Sequence, residues 1–163
     1  MPNDCYNKLT ITGDREQLKQ FLDCGIDFNT AIPYPEYFRQ MDEAAERWKT
    51  EHPGESWNAP KDGFNSGGYE WCIEHWGTKW NAYYVDRKVS VTLDHVEYTF
   101  ETAWSPPVLV VAAWSAKFPD LEFRLFYYEP LMDFQGTYVV KGGKELEDTV
   151  GPCNMLCAHE NEN

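Results

Sequence analysis

VEYTFETAWSPPVLVVAAWSAKFPDLEFRLFYYE, Val96 to Glu129, decides the fold of this chain. Val96, Tyr98, Phe100 and Thr102 fall on one side at the period of two that a half-buried strand needs. Ser105 stands where a helix cap belongs, and Pro106 and Pro107 occupy a first turn in which a missing N–H costs little. VLVVAAWSAKF, Val108 to Phe118, is apolar nearly all round, which predicts a well-buried helix stopped by Pro119. Leu121, Phe123, Leu125 and Tyr127 then resume the period of two.

Upstream, AYYVDRKVSVTL puts Tyr83, Val85, Val89, Val91 and Leu93 on one face, interrupted by Arg87. With a turn at Asp94-His95, it predicts an antiparallel hairpin with the strand from Val96. At the start, YNKLTITG alternates Leu9 and Ile11 with polar residues, and Gly13 closes a first strand. Asp14 and Gln17 form a capping-box pair ahead of Leu18, Phe21 and Leu22, and Gly25 ends that helix. A second helix is expected from Glu36 to about Lys49, with Phe38, Met41, Ala45 and Trp48 as its apolar side. Turn chemistry fills the stretch to Gly68.

GTYVVKGG predicts one more strand, ended by Gly142-Gly143. The fold expected is therefore α+β, a ferredoxin-like split β-α-β sandwich with two helices on one face of an antiparallel sheet. An extra C-terminal edge strand is added, and residues 28–78 form a helical, loop-rich insertion lying on the other face or over an edge. Residues 1–143 make one domain, and residues 144–163 read as a polar, flexible tail.

The 163 residues carry a formal charge of -13, which opposes direct binding to a phosphate backbone and suits a partner protein with a basic surface. No apolar run approaches the ~20 residues a bilayer requires. The start has no basic segment followed by an apolar one, so a cytoplasmic protein is expected. Cys5, Cys24, Cys72, Cys153 and Cys157 are odd in number and scattered, as free thiols are.

Three segments carry a resemblance: EHWGTKWNAYYV, YTFETAWSPPV and FPDLEFRLFYYEPLMDFQG. Together they span about residues 68–136 and are similar to the YubB-type, or Api-like, proteins of plasmids and phages. The resemblance implies a ferredoxin-like domain and a mobile-element origin. It brings no catalytic residue with it.

GYEWCIEHWGTKWNAYY, Gly68 to Tyr84, holds the candidate binding residues. Tyr69, Cys72, Ile73 and Trp76 share one face of a short helix, while Trp71 and His75 meet on the opposite side. Glu70 and Glu74 lie on the same side of the helix as His75, and Lys79, Trp80 and Asn81 follow. Exposed Trp and its polar neighbours are favoured interface anchors. The function expected is a non-enzymatic acidic binding protein of a mobile element. Its target would be a host nucleic-acid-handling or defence protein, which it inhibits by docking on that protein's basic surface.

Two alternatives stay open. A small enzyme or zinc protein could centre on Cys72 and His75, with Cys153, Cys157 and His159. But Cys72 faces the packed side and His75 points away, so neither metal nor cofactor is expected. A sheet face bearing Phe126, Tyr128, Tyr84 and Trp80 could instead stack single-stranded bases. LEFRLFYY is no signature of that kind, the charge is wrong, and those rings are expected to pack under the insertion.

Overall fold

Cys5, Asn7, Leu9 and Ile11 point the same way from the first strand and are all buried. That strand, β1 (Asp4–Gly13), lies in the interior of the sheet. The structure is a computed structural model and describes residues 2–90 and 92–153. Helix α1 (Arg15–Cys24) follows, capped by the Asp14 side chain, which accepts the Gln17 N–H at 2.9 Å. Then come α2 (Glu36–Glu51), α3 (Gly68–Trp76), β2 (Tyr83–Val89) and β3 (His95–Ala103). The chain continues with α4 (Val108–Lys117), β4 (Leu121–Glu129), β5 (Phe134–Lys141) and β6 (Lys144–Gly151).

Among the described residues these strands form one six-stranded antiparallel sheet in the order β2-β3-β1-β4-β5-β6. The order β2-β3-β1-β4, with α1 and α4 between strands, is the expected ferredoxin-like sandwich. No helix of the described residues is long and apolar enough to cross a membrane.

Phe21 of α1 binds the layers together. Its ring meets Trp114 at 5.3 Å, Phe123 at 5.4 Å, Phe118 at 5.5 Å and Tyr98 at 6.0 Å, each edge-on. The insertion packs on this same face, contrary to expectation. Phe28, from a turn after α1, lies against Trp76 of α3 at 5.6 Å and Trp114 of α4 at 6.0 Å. Its apolar side extends the helical layer, and the second face of the sheet stays open to solvent: Lys8, Thr99 and Arg124 on it are exposed.

Four further expectations are corrected. The segment from Lys144 is no loose tail up to Gly151, because it pairs with β5 as β6 and takes over the sheet edge. Helix α4 begins at Val108, with the Pro107 carbonyl accepting its first N–H groups. Ser105 is not the cap, because its hydroxyl donates to the Gly77 carbonyl at 2.5 Å. Strand β2 carries a bulge between Tyr83 and Asp86, where Tyr84 has φ 50°. One inserted position reverses the alternation, so Tyr83 lies opposite Glu101 on the open face while Arg87 and Val89 lie opposite core Tyr98 and Val96. Val85 and Val89 remain exposed on this edge strand, and Val91 lies outside the described residues. Ile73, expected to pack, is 39% exposed, because α3 seats on the core through Cys72 and Trp76, with Trp71 partly buried against it.

Candidate binding site

Trp71 and His75, four residues apart on α3, stack with ring centroids 4.4 Å apart and planes 11° from parallel. The His75 Nδ1 lies 3.0 Å from the Trp71 carbonyl oxygen, which can only accept, so Nδ1 carries the proton. Tyr34 covers the indole from the segment before α2, edge-on at 5.7 Å, and Trp76 meets it at 5.4 Å. The pair is therefore a half-buried step in the surface. Glu70 and Glu74, each one position before a member of the pair, stand in solvent along the same side of it.

Lys79 is held separately. Its ammonium lies 4.8 Å from the Trp80 ring, 5.0 Å from Trp104 and 5.7 Å from Tyr69. Trp104 is absent from the sequence-derived site because it follows β3 by one residue, far along the chain. Asn81 ties two segments together internally. Its Oδ1 accepts from the Phe28 N–H at 3.0 Å and the Ala82 N–H at 2.9 Å, and its Nδ2 donates to Asp27 at 2.8 Å. Burial opposes ionisation of Asp27, but the bonds from Asn81 and Asn29 outweigh it and hold that carboxyl below its ordinary value. The seven candidates thus divide into an α3 step, a lysine clamp containing Trp80, and an internal tie at Asn81.

Beside the step, α2, the segment 62–66 and α3 enclose an open cleft of about 240 Å³. Tyr34, Phe64, Trp76 and Trp80 wall it, and Arg39 and Asp42 supply its charges. Asp42 accepts the Phe64 N–H at 2.9 Å through Oδ1 and the Tyr34 hydroxyl at 3.2 Å through Oδ2. Gly68 makes room for this: a Cβ there would fall 2.1 Å from the Tyr34 hydroxyl oxygen. Burial, and then the Asp42 charge, raises the Tyr34 hydroxyl and pushes the Cys72 thiol up to about 12. The sequence signal for the cleft is slight. Phe38 and Asp42 share a face of α2 at i,i+4, a spacing many solvated helices show.

Cys72 is buried and its thiol is held neutral, which argues against a nucleophile. Among the described residues no group of three His, Cys, Asp or Glu could hold a metal ion. Cys157 and His159 lie outside them, and the Cys153 N–H donates to Asp133 at 3.1 Å.

The sheet aromatics are only partly gathered. Phe126 and Tyr128 stand 6.2 Å apart on the open face, where Tyr128 stacks on Tyr6 at 4.9 Å. They are not packed under the insertion. Tyr84 projects from the β2 bulge, 80% exposed, and Trp80 is on the helix side in the cleft. Two cations of this face are paired, Lys8 with Glu97 at 3.1 Å, and Arg124 with Glu147 at 3.5 Å and Glu122 at 3.9 Å, while Lys88 and Lys141 stand exposed on it.

A family model described as the ferredoxin-like domain in Api92-like protein matches residues 79–163. No curated protein matches the sequence. Among solved structures, the crystal structure of protein api92 from Yersinia pseudotuberculosis is similar in fold, with a TM-score of 0.58 at 12% identity. That similarity covers 94% of this chain and 99% of the other. By the family-model match over its C-terminal half, this chain belongs to the Api92-like family, as a carrier of that family's ferredoxin-like domain.

Proposed function

We propose that the protein is a non-catalytic docking module that uses α3 and its junction with β2 to engage a partner with a basic surface. The observation that carries this is the α3 surface itself: two solvent-exposed carboxylates, Glu70 and Glu74, in a row along one side of the Trp71–His75 step. An aromatic step gives desolvated contact at little entropic cost, and the neighbouring carboxylates select a basic counterpart. The net charge of -13 adds long-range attraction of the same sign. On a plasmid or phage, such a module would inhibit a host nucleic-acid-handling or defence protein, its carboxylates taking the place of phosphates.

The test is capture of partner proteins from host lysate at low and high salt. Wild type is compared with Trp71→Ala/His75→Ala and with Glu70→Gln/Glu74→Gln, each shown folded by circular dichroism. The expected result is a basic partner that is released by salt and bound at least about tenfold more weakly by both variants. Unchanged capture by both variants overturns the proposal.

The open sheet face favours a second reading, single-stranded nucleic-acid binding, because Tyr6, Tyr128 and Phe126 lie side by side there. Its pairing of Lys8 and Arg124 with carboxylates works against that reading.

A further inference from the structure

We infer that the cleft between α2 and α3 receives a basic side chain of the docking partner, an ammonium or guanidinium group held between aromatic faces over the Asp42 carboxylate. This rests on the docking function proposed above and names what the partner would insert. Tyr34 and Trp76, with centroids 6.1 Å apart, form one wall, and Phe64 and Trp80, 6.4 Å apart, form another. Aromatic faces attract cations through the ring quadrupole. The neighbouring clamp shows the chemistry in place, with the Lys79 ammonium 4.8 Å from the Trp80 ring.

Asp42 selects the sign. A carboxylate offers about four lone-pair positions, and two of these take the Tyr34 hydroxyl and the Phe64 N–H. The others remain for a ligand that donates. A neutral apolar occupant would strip water from the carboxylate and replace none of its hydrogen bonds. An anion would meet it charge to charge. A hard divalent ion needs about six to eight oxygen ligands, and the cleft brings one carboxylate. Arg39 lines the cleft with its guanidinium bonded to Glu36, so its charge is partly neutralised, yet it still opposes an incoming cation.

The test titrates isotope-labelled full-length protein with n-butylammonium, ethylguanidinium and, as the neutral control, n-butanol. The expected result is saturable movement of the Trp76 and Trp80 indole N–H resonances by the two cations and none by butanol. Asp42→Asn should weaken the cations about tenfold, and Arg39→Gln should tighten them several-fold. Equal movement by butanol, or unchanged binding by Asp42→Asn, overturns the inference. If Asp42→Asn does not fold, Arg39→Gln decides alone, and a failure to tighten overturns it. The capture experiment separates the two proposals. Cation binding without a basic partner sinks the docking function, and partner capture that fails only in the α3 variants, with no cation binding, sinks this inference.

Discussion

Trp114 has no solvent exposure, touches Phe21 and Phe28 edge-on, and donates its indole N–H to the Thr30 hydroxyl at 2.9 Å. Trp114→Ala is therefore expected to lower stability by about 3–5 kcal/mol. The check is the urea midpoint at constant slope. Asn81→Ala strips two backbone N–H groups and Asp27 of their partner. It should cost about 1–3 kcal/mol, whereas a residue that only met a ligand would leave stability unchanged. The thiols give a third outcome. Burial pushes Cys5 and Cys72 from 9.0 to about 12, so an unfolded chain would lose these protons where the folded one keeps them. Their contribution is complete below pH 9.0 and is lost as the pH rises toward 12. In alkylation at about pH 8, exposed Cys24 should react while Cys5 and Cys72 wait for denaturant, as peptide mapping would show.

At the scale of elements, β6 depends on its turn. Gly142 and Gly143 have φ 57° and 72°, the two positive values that match a tight hairpin to the twist of its strands. Gly142→Val/Gly143→Val is expected to cost about 1–2 kcal/mol per position. Cross-strand contacts between β5 and β6 should vanish from NMR spectra while those of β1 with β3 and β4 persist. The same strand marks where sequence reading stops. Periodicity located β1, β3, β4, α1 and α3 because each buries one face and exposes the other. Strand β6 has solvent on both sides, leaving Leu146 and Val150 exposed, so no alternation marks it. The β2 bulge was hidden for a related reason, since a single inserted residue reverses every later side chain without changing composition. The aromatic helix surfaces of the insertion fit either face of a sheet, and the distant partners Trp114 and Phe100 decide which one Phe28 meets. Within the candidate site, the Trp71–His75 pair follows from helical spacing. The role of Asn81 and the approach of Trp104 do not, because both depend on residues tens of positions away.

For the whole molecule, charge and the two sheet faces set the expectations. The helix-covered face is spent on the core. The open face carries a Tyr6–Tyr128–Phe126 row beside Lys8 and Arg124, which already have carboxylate partners. A labelled oligothymidylate should consequently show no rise in anisotropy with this protein, even at low salt, and a salt-dependent rise would favour the nucleic-acid reading instead. The placement of β1 has a consequence of another kind. Strand β1 leaves the ribosome well before its two neighbours β3 and β4, which are made only as synthesis reaches residues 95–129. Until then both of its edges lack their partners, and its apolar row of Cys5, Leu9 and Ile11 has α1 but not α4 to lie against. The nascent chain therefore carries this hydrophobic segment with an incomplete sheet until residues 95–129 have emerged. Closure of the core is a late event, tied to the emergence of β4, and the β5–β6 hairpin can zip onto a sheet already formed.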